Sequence, residues 1–447
     1  MKLPFIQSPG QRGTSLLKDD ITINAYAEQL ADGRTALVKR PGVASHQVPA
    51  AASTPRGMWW FNGQLVSIYG AKLFYGTTEV GTNAIAGTGP CWAAEYGTST
   101  RYLAISNGTT GYRLSTAWAL TTVTDGDYQA HVAGLVHLDG YLFTVNSVGQ
   151  VAHSDVRDFT AWNALNVINA ESFSDGAVAI FRILNYIGVM GEKTIEFFYD
   201  GANATGSVLS KVSGAIVQVG CTQARTLASV KGMVLFVSDG GAVYLLNNMA
   251  PERVSPAAIE RIISGATLTD AFAQAFEIAG HAFYMLTLPT SNVTLAYDIA
   301  LKRWWQVQDA SGNYWPYVNA VQDGMSVYFQ RADGTTYKLS TNQDAGANFT
   351  VTARSAWVDF GTGKRKRLPQ LEVLADRAAG DISVRYSKDD FATWSTPRTA
   401  SLATRVSFRN FGDFRRIAFE FSHTHNEALR LIELEMDVVG AAMQRQG

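Results

Sequence analysis

The sequence predicts an all-β protein: a β-propeller of six or seven blades over residues 50–345, a C-terminal β-sandwich-like domain over 346–447 and a short N-terminal β segment over 1–49, with few short helices. Three observations carry that prediction. Only 17% of the 447 residues are charged, while 40 are glycine and 50 are aromatic (10 Trp, 18 Tyr, 22 Phe), a balance suited to short strands joined by tight turns. One pattern recurs along the middle of the chain: an apolar stretch, a glycine turn, a second apolar stretch, another glycine-bearing turn and a Tyr-containing strand. After residue 348 this gives way to plain two-residue alternation.

The repeat begins at Trp59, Leu135, Ile183, Leu227, Ala275 and Asn319, and its first turn glycines are Gly63, Gly140, Gly188, Gly232, Gly280 and Gly324. From Gly140 onward these are 48, 44, 48 and 44 residues apart, and the 77 residues between Gly63 and Gly140 leave room for a weaker unit around "RYLAISNGTTGYRLS". A period in the forties with about four strands per unit is the mark of propeller blades, each of which buries its faces against its neighbours. Leucine-rich solenoids have about half this period, and helical repeats would show a 3.6-residue rhythm.

Helix is expected in "SPAAIERIISG", with Ser255 as N-cap, Pro256 in the first turn, Ala258, Ile259, Ile262 and Ile263 as the apolar face and Gly265 as the stop. "TLTDAFAQAFEI" reads as a second short helix from Thr267. Beyond Asn348, "TVTARSAWVDFG", "RLPQLEVLAD", "DISVRYSKD", "TRVSFRNF", "RRIAFEFSH" and "LRLIELEMDVV" alternate as sandwich strands do. The N-terminal "ITINAYAEQLADGRTALVKRPGV" is strand, turn and strand, expected to pack with the C-terminal domain.

A formal charge of −1 and a pI near 6.7 supply no field to hold nucleic acid, though DNA could pass such a surface without being captured. The first residues have one Lys and a four-residue apolar patch, too little for an export signal, and no run of 18 apolar residues exists for membrane insertion. Cys91 and Cys221, 130 residues apart without CxxC spacing, read as core thiols.

Propellers host glycosidases, which need two carboxylates flanking a sugar, so a propeller-type carbohydrate-active enzyme acting on host surface glycans is the alternative function. Against it, Asp125, Asp139, Asp239 and Asp323 sit beside or near glycine, as tight turns require. "SKDDFATWS" is similar to the sialidase Asp-box, with Ser387, Asp389 and Trp394 in register but Phe391 where that box has Gly; the box is a folding element in any case. His423 and His425 alternate on one strand face without a third metal ligand in view. The run Lys364-Arg365-Lys366-Arg367 is either a solvated turn or a patch meeting an acidic protein or a phosphate backbone. No Walker loop, GxSxG or HExxH occurs, so neither a catalytic site nor a cofactor is assigned. Glu196 in "GEKTIEFFYDG" alternates with Thr194 and Phe198, opposite Ile195, Phe197 and Tyr199; it is expected at a blade edge or on a neighbouring strand's N–H groups rather than in catalysis.

The order of motifs in residues 175–263 resembles the packaged-DNA stabilisation proteins, also called tail hub or nozzle proteins, of short-tailed bacteriophages. It runs through Asp175-Gly176, Gly191, Thr194-Ile195-Glu196, Gly201, Cys221, Ser238-Asp239, Val243-Tyr244 and Ser255 with Ile259-Glu260. Asn24 and Tyr26, leading through Gly33 to Arg40-Pro41-Gly42, are similar to that family's opening, and "SKDDFATWS" with "RVSFRNFGDFRRIAFEF" to its close. The resemblance implies a structural virion protein without enzymatic activity, assembled in the bacterial cytoplasm into a hexameric ring. Such a ring sits under the portal and adaptor, closes the exit channel for packaged double-stranded DNA, and docks a tail needle and fibres or spikes.

Overall fold

The computed structural model describes residues 2–3, 21–170, 173 and 175–440. Six four-stranded antiparallel sheets and a further set of four antiparallel strands, itself part of a nine-stranded sheet, follow one another around a ring. The first six of these units span residues 55–79, 92–122, 136–169, 177–217, 228–253 and 272–307, here blades 1 to 6. Blade 7 takes Val318–Asp323, Ser326–Gln330 and Thr336–Thr341 from the end of the repeat, and its fourth strand, Gly42–Gln47, from the N-terminus. The weak unit expected near residue 101 is blade 2.

The first hairpin of most blades turns as its sequence predicts. At Asn62-Gly63, Asp139-Gly140, Lys231-Gly232 and Ala279-Gly280 both turn residues have positive φ, which matches the twist of the flanking strands. Blade 4 departs from this. Its turn is Leu184-Asn185, three residues before the expected place, and Gly188 lies inside the strand Tyr186–Gly191. Glycine is required there for another reason: a Cβ would stand 2.2 Å from the ring of Phe181 on the partner strand.

Two local expectations are corrected. "TLTDAFAQAFEI" contains no helix; it yields the strand Phe272–Ile278, whose Phe272, Gln274 and Phe276 are buried in a period of two and whose backbone pairs fully with His281–Leu288. The helix Ala257–Ser264 does form and buries Ala258, Ile259 and Ile263, but Pro256 rather than Ser255 occupies the cap position. Ser255 Oγ instead accepts from the Val243 N–H (2.9 Å) and donates to Glu260 Oε1 (2.7 Å), fixing the helix to blade 5.

The N-terminal segment divides between two bodies, so the expected boundary at residue 50 does not describe the pairing. Ala25–Gln29 and Thr35–Lys39 extend a sandwich sheet through Arg430–Gly440 to Lys366–Ala375 and Val406–Arg409. The facing sheet contains Val351–Arg354, Ala418–His423, Asp381–Ser387 and Arg398–Ser401, and the two enclose one core around Leu371, Val384, Phe419 and Leu434. Ile21–Ile23 lies between bodies, pairing with Val351–Arg354 and, in parallel, with the outer strand of blade 6, Arg303–Val307. Two residues after Ile23 the chain enters the sandwich, and at Gly42 it returns to close the ring.

Candidate functional site

The closure junction is built by Asn24, Arg40 and Asp344. Asn24 has φ of 58°, a conformation that Asn tolerates better than most residues. Its Oδ1 accepts from Arg40 Nε and from the Gln308 N–H, both at 2.9 Å, and its Nδ2 donates to the Thr350 carbonyl at 2.8 Å. The Arg40 guanidinium grips both oxygens of Asp344 (Nη1 to Oδ1 3.0 Å) and also donates to the carbonyls of Pro41 and Gln308, each at 3.0 Å. All five of its N–H bonds are thereby used. The two side chains are 5% and 4% exposed, and the guanidinium lies 3.8 Å from the Phe349 ring centre. One ion pair thus joins blade 6, the closing strand, the exit from blade 7 and the start of the sandwich. Gly42, which ends the motif, is equally constrained, since a Cβ there would sit 2.1 Å from the Gln343 carbonyl oxygen.

Lys39, beside this pair, is buried and donates to the His425 carbonyl at 2.6 Å, with its ammonium 4.6 Å from the Phe349 ring centre. Burial, helped by the Arg40 charge, lowers its pKa from 10.5 to about 8.

In blade 4 the motif residues form a clasp. Asp175 accepts from the N–H groups of Lys193 (2.9 Å) and Thr194 (3.0 Å) and from Thr194 Oγ1 (3.0 Å). A Cβ on Gly191 would reach within 2.4 Å of that carboxylate, and one on Gly201 within 2.4 Å of Ser210 Oγ. Ile195 and Phe197 enter one core cluster and Phe198 another, as alternation predicts. Glu196 is 4% exposed and forms an ion pair with Lys211 from the outer strand. At the helix, Arg253 Nε donates to Glu260 Oε1 at 2.7 Å. These motif residues brace the ring, and Asp175, Gly191, Thr194 and Glu196 together also line a small pocket with Gly149 and Val189.

The run 364–367 is not one continuous patch. Lys366 is buried and donates to the carbonyls of Thr362 and Lys364, and Arg367 pairs with Asp413 at 3.0 Å. Lys364 and Arg365 remain exposed, with no carboxylate partner among the described residues. His423 is buried and its Nδ1–H donates to the Asp381 carbonyl at 3.0 Å, 5.4 Å between ring centres from His425. Among the described residues no group of three or more His, Cys, Asp or Glu is placed to hold a metal. Cys91 and Cys221 are buried and free, and burial pushes the Cys91 thiol up to about 11. No helix among the described residues is long and apolar enough to cross a membrane.

The Asp-box-like turn works as a turn. Asp389 accepts from Ser387 Oγ (2.8 Å) and the Thr393 N–H (2.9 Å), which with the Thr393 hydroxyl lowers its pKa to about 2. Phe391 holds φ of 70°, a conformation suited to the Gly it replaces, and stays because its ring is 7% exposed beside Trp394. Left-handed backbone costs a bulky residue about 1–2 kcal/mol, while deleting a buried Phe costs about 3–5 kcal/mol. Phe391→Gly is therefore expected to destabilise by about 2 kcal/mol in urea unfolding, and a stabilised variant would show that strain outweighs burial.

Sequence reasoning missed Asp344, Gln308 and Lys211. Asp344 and Gln308 are 304 and 268 residues from Arg40, so no local pattern could connect them.

A family model described as bacteriophage P22 Gp10, beta-propeller, matches residues 19–344. No curated protein matches the chain. Solved structures similar to it include the computationally designed Ika8 protein (10% identity, 67% of this chain and 99% of that one, TM-score 0.42) and BamB from Moraxella catarrhalis (13%, 72% and 97%, 0.40). The N-terminal domain of Nup159 is at a similar distance (11%, 72% and 98%, 0.40). The matched span covers the closing strand and all seven blades and stops at Asp344, the carboxylate that locks the ring. The chain therefore belongs to the phage stabilisation family of bacteriophage P22 Gp10, a family of β-propeller structural proteins.

Proposed function

We propose that this protein is a subunit of the tail hub, or nozzle, of a short-tailed phage: a ring below the portal and adaptor that closes the DNA exit channel after packaging and docks the needle and fibres or spikes. The observation that carries this reading is the family match over residues 19–344. It is supported by the use of the motif residues, which spend their hydrogen bonds on closing and bracing the propeller. A subunit that must hold pressurised DNA needs rigidity between its bodies, and the sheet that runs from blade 6 through Ile21–Ile23 into the sandwich provides a continuous hydrogen-bonded connection. Near-neutral net charge suits passage of DNA, because each phosphate held by Lys or Arg adds to the binding that ejection must break.

The test is mass photometry of the purified chain, alone and with portal–adaptor particles of the same phage. A closed ring of about six copies, alone or on the particles, is the expected result. A chain that stays monomeric and ignores the particles would overturn the reading, and hydrolysis of a host glycan by that monomer would replace it with the enzymatic one.

A further inference from the structure

A cavity of about 20 Å³ lies where blade 6, the segment leading into blade 7, the closing strand and the sandwich meet. Its wall takes Trp305 from the outer strand of blade 6, Trp315 from the connection to blade 7, Arg40 from the approach to the closing strand and Tyr26 from the sandwich strand Ala25–Gln29. The remaining side chains of the wall, with Phe283 and Met285 among them, present carbon and sulfur. Trp305 and Trp315 are 5% and 2% exposed, and the Nε1–H of each is buried with no hydrogen-bond partner among the described residues. The other two buried tryptophans of the described chain are paired: Trp304 Nε1 donates to the Val254 carbonyl at 2.9 Å and Trp162 Nε1 to the Phe159 carbonyl at 2.8 Å. A buried N–H without an acceptor is costly and rare, so two of them on the wall of one cavity point to an occupant that accepts hydrogen bonds.

The chemistry of that occupant follows from the wall. An indole N–H only donates, so the occupant must present an acceptor to each ring. The charged group on the wall is the Arg40 guanidinium, and it has nothing left to give: its five N–H bonds go to Asn24, Pro41, Gln308 and both oxygens of Asp344, whose charge balances its own. An anion would therefore enter an apolar space without a charged donor, which is far more costly than burying a neutral group. A single water fits instead. It needs about 10–15 Å³ of room and roughly two to four polar partners, and the two indoles supply the lower of those numbers.

We infer that this cavity is a binding site for one neutral acceptor, an ordered water that takes the N–H bonds of both Trp305 and Trp315. Held there, it ties the outer strand of blade 6 to the segment that enters blade 7, beside the Arg40–Asp344 pair that closes the ring. The site is internal to one chain, so it stands or falls independently of how copies assemble.

The experiment uses the full chain. In a crystal structure, one density peak is expected at hydrogen-bond distance, about 2.7–3.2 Å, from both Nε1 atoms. A second crystal soaked in sodium bromide should show no anomalous signal at that place. In solution, magnetisation transfer from water should reach the indole protons of Trp305 and Trp315 in isotope-labelled protein but not that of Trp304, whose N–H is spent on the Val254 carbonyl. Trp305→Phe and Trp315→Phe assign the signals, each by the loss of its own; if a variant does not fold, the crystallographic result decides alone. A bromide peak between the indoles would overturn the neutral occupant in favour of a halide. Two separate peaks, each within reach of one ring, would overturn the shared water. The absence of both density and transfer would show that the two N–H groups are buried unpaired and that the cavity binds nothing.

Discussion

Replacing Asp344 by Ala is expected to lower stability to urea by about 3–5 kcal/mol, because it leaves the Arg40 guanidinium buried without its counter-ion. The cost is large relative to the marginal stability of a folded chain. Arg40→Met should be comparably severe, for it strands the carboxylate and removes the donors used by Asn24, Pro41 and Gln308. The double variant Arg40→Met/Asp344→Leu should recover part of the loss, since an apolar pair leaves no buried charge, yet the acceptors on Asn24, Pro41 and Gln308 still lose their partner. Costs that simply add would show that the two residues act separately. A loss below about 1 kcal/mol for Asp344→Ala would mean that ring closure does not depend on this pair.

The second large effect is expected at Lys39 and is read against pH. Its folded pKa of about 8 lies below the unfolded value of 10.5. Below pH 8 both states hold the proton, and folding bears the full cost of burying the charge. Between pH 8 and 10.5 the folded chain has released a proton that the unfolded chain keeps, so stability rises by about 1.4 kcal/mol per pH unit. Integrated over the window, the gain is about 3 kcal/mol. Other groups oppose it: the Cys91 thiol and the Tyr26 and Tyr69 phenols are raised by burial, so their stabilising contributions decline once the unfolded forms ionise. The clean observable is therefore the difference between the parent and Lys39→Met. The variant should be more stable at pH 7, and its advantage should shrink steadily from pH 8 to 10.5. A constant difference would show that Lys39 is solvated in both states.

How much of this was legible in the sequence depended on sequence distance. Blades 5 and 6 follow directly from Gly232 and Gly280, because an I′ hairpin is a property of two adjacent residues. Blade 4 was found for a partly wrong reason, since Gly188 preserves the period while serving close packing against Phe181. The misread helix from Thr267 shows period against propensity: Ala, Gln and Glu favour helix, but burial of Phe272, Gln274 and Phe276 in alternation, with a full partner strand, prevails. For Glu196 the partner Lys211 could not be named from the sequence, because a bulge shifts the register between the strands that carry them. The seventh blade was legible only in part, for the repeat at Asn319 and Gly324 marks three of its strands and not the fourth. Its outer strand precedes the rest of that blade by nearly the whole ring, and nothing local in "GVASHQ" distinguishes a closing strand from a sandwich strand.

That closing strand has a consequence for biogenesis. Gly42–Gln47 leaves the ribosome early, and its partner Thr336–Thr341 is among the last parts of the propeller to be made. At bacterial elongation rates of about 5–20 residues per second, the wait is about 15–60 s. Throughout it the first strand has no native neighbour, and its later pairing must overcome the entropy of closing a loop almost 300 residues long. Such a high contact order makes ring closure a late and slow event. During synthesis the nascent chain is an open arc with an unpaired edge at each end, and the same strand in a neighbouring nascent chain is chemically identical to its own. Dilution of nascent chains, or a chaperone that shields the open edge, would then decide whether each propeller closes on itself or borrows its last strand from another copy.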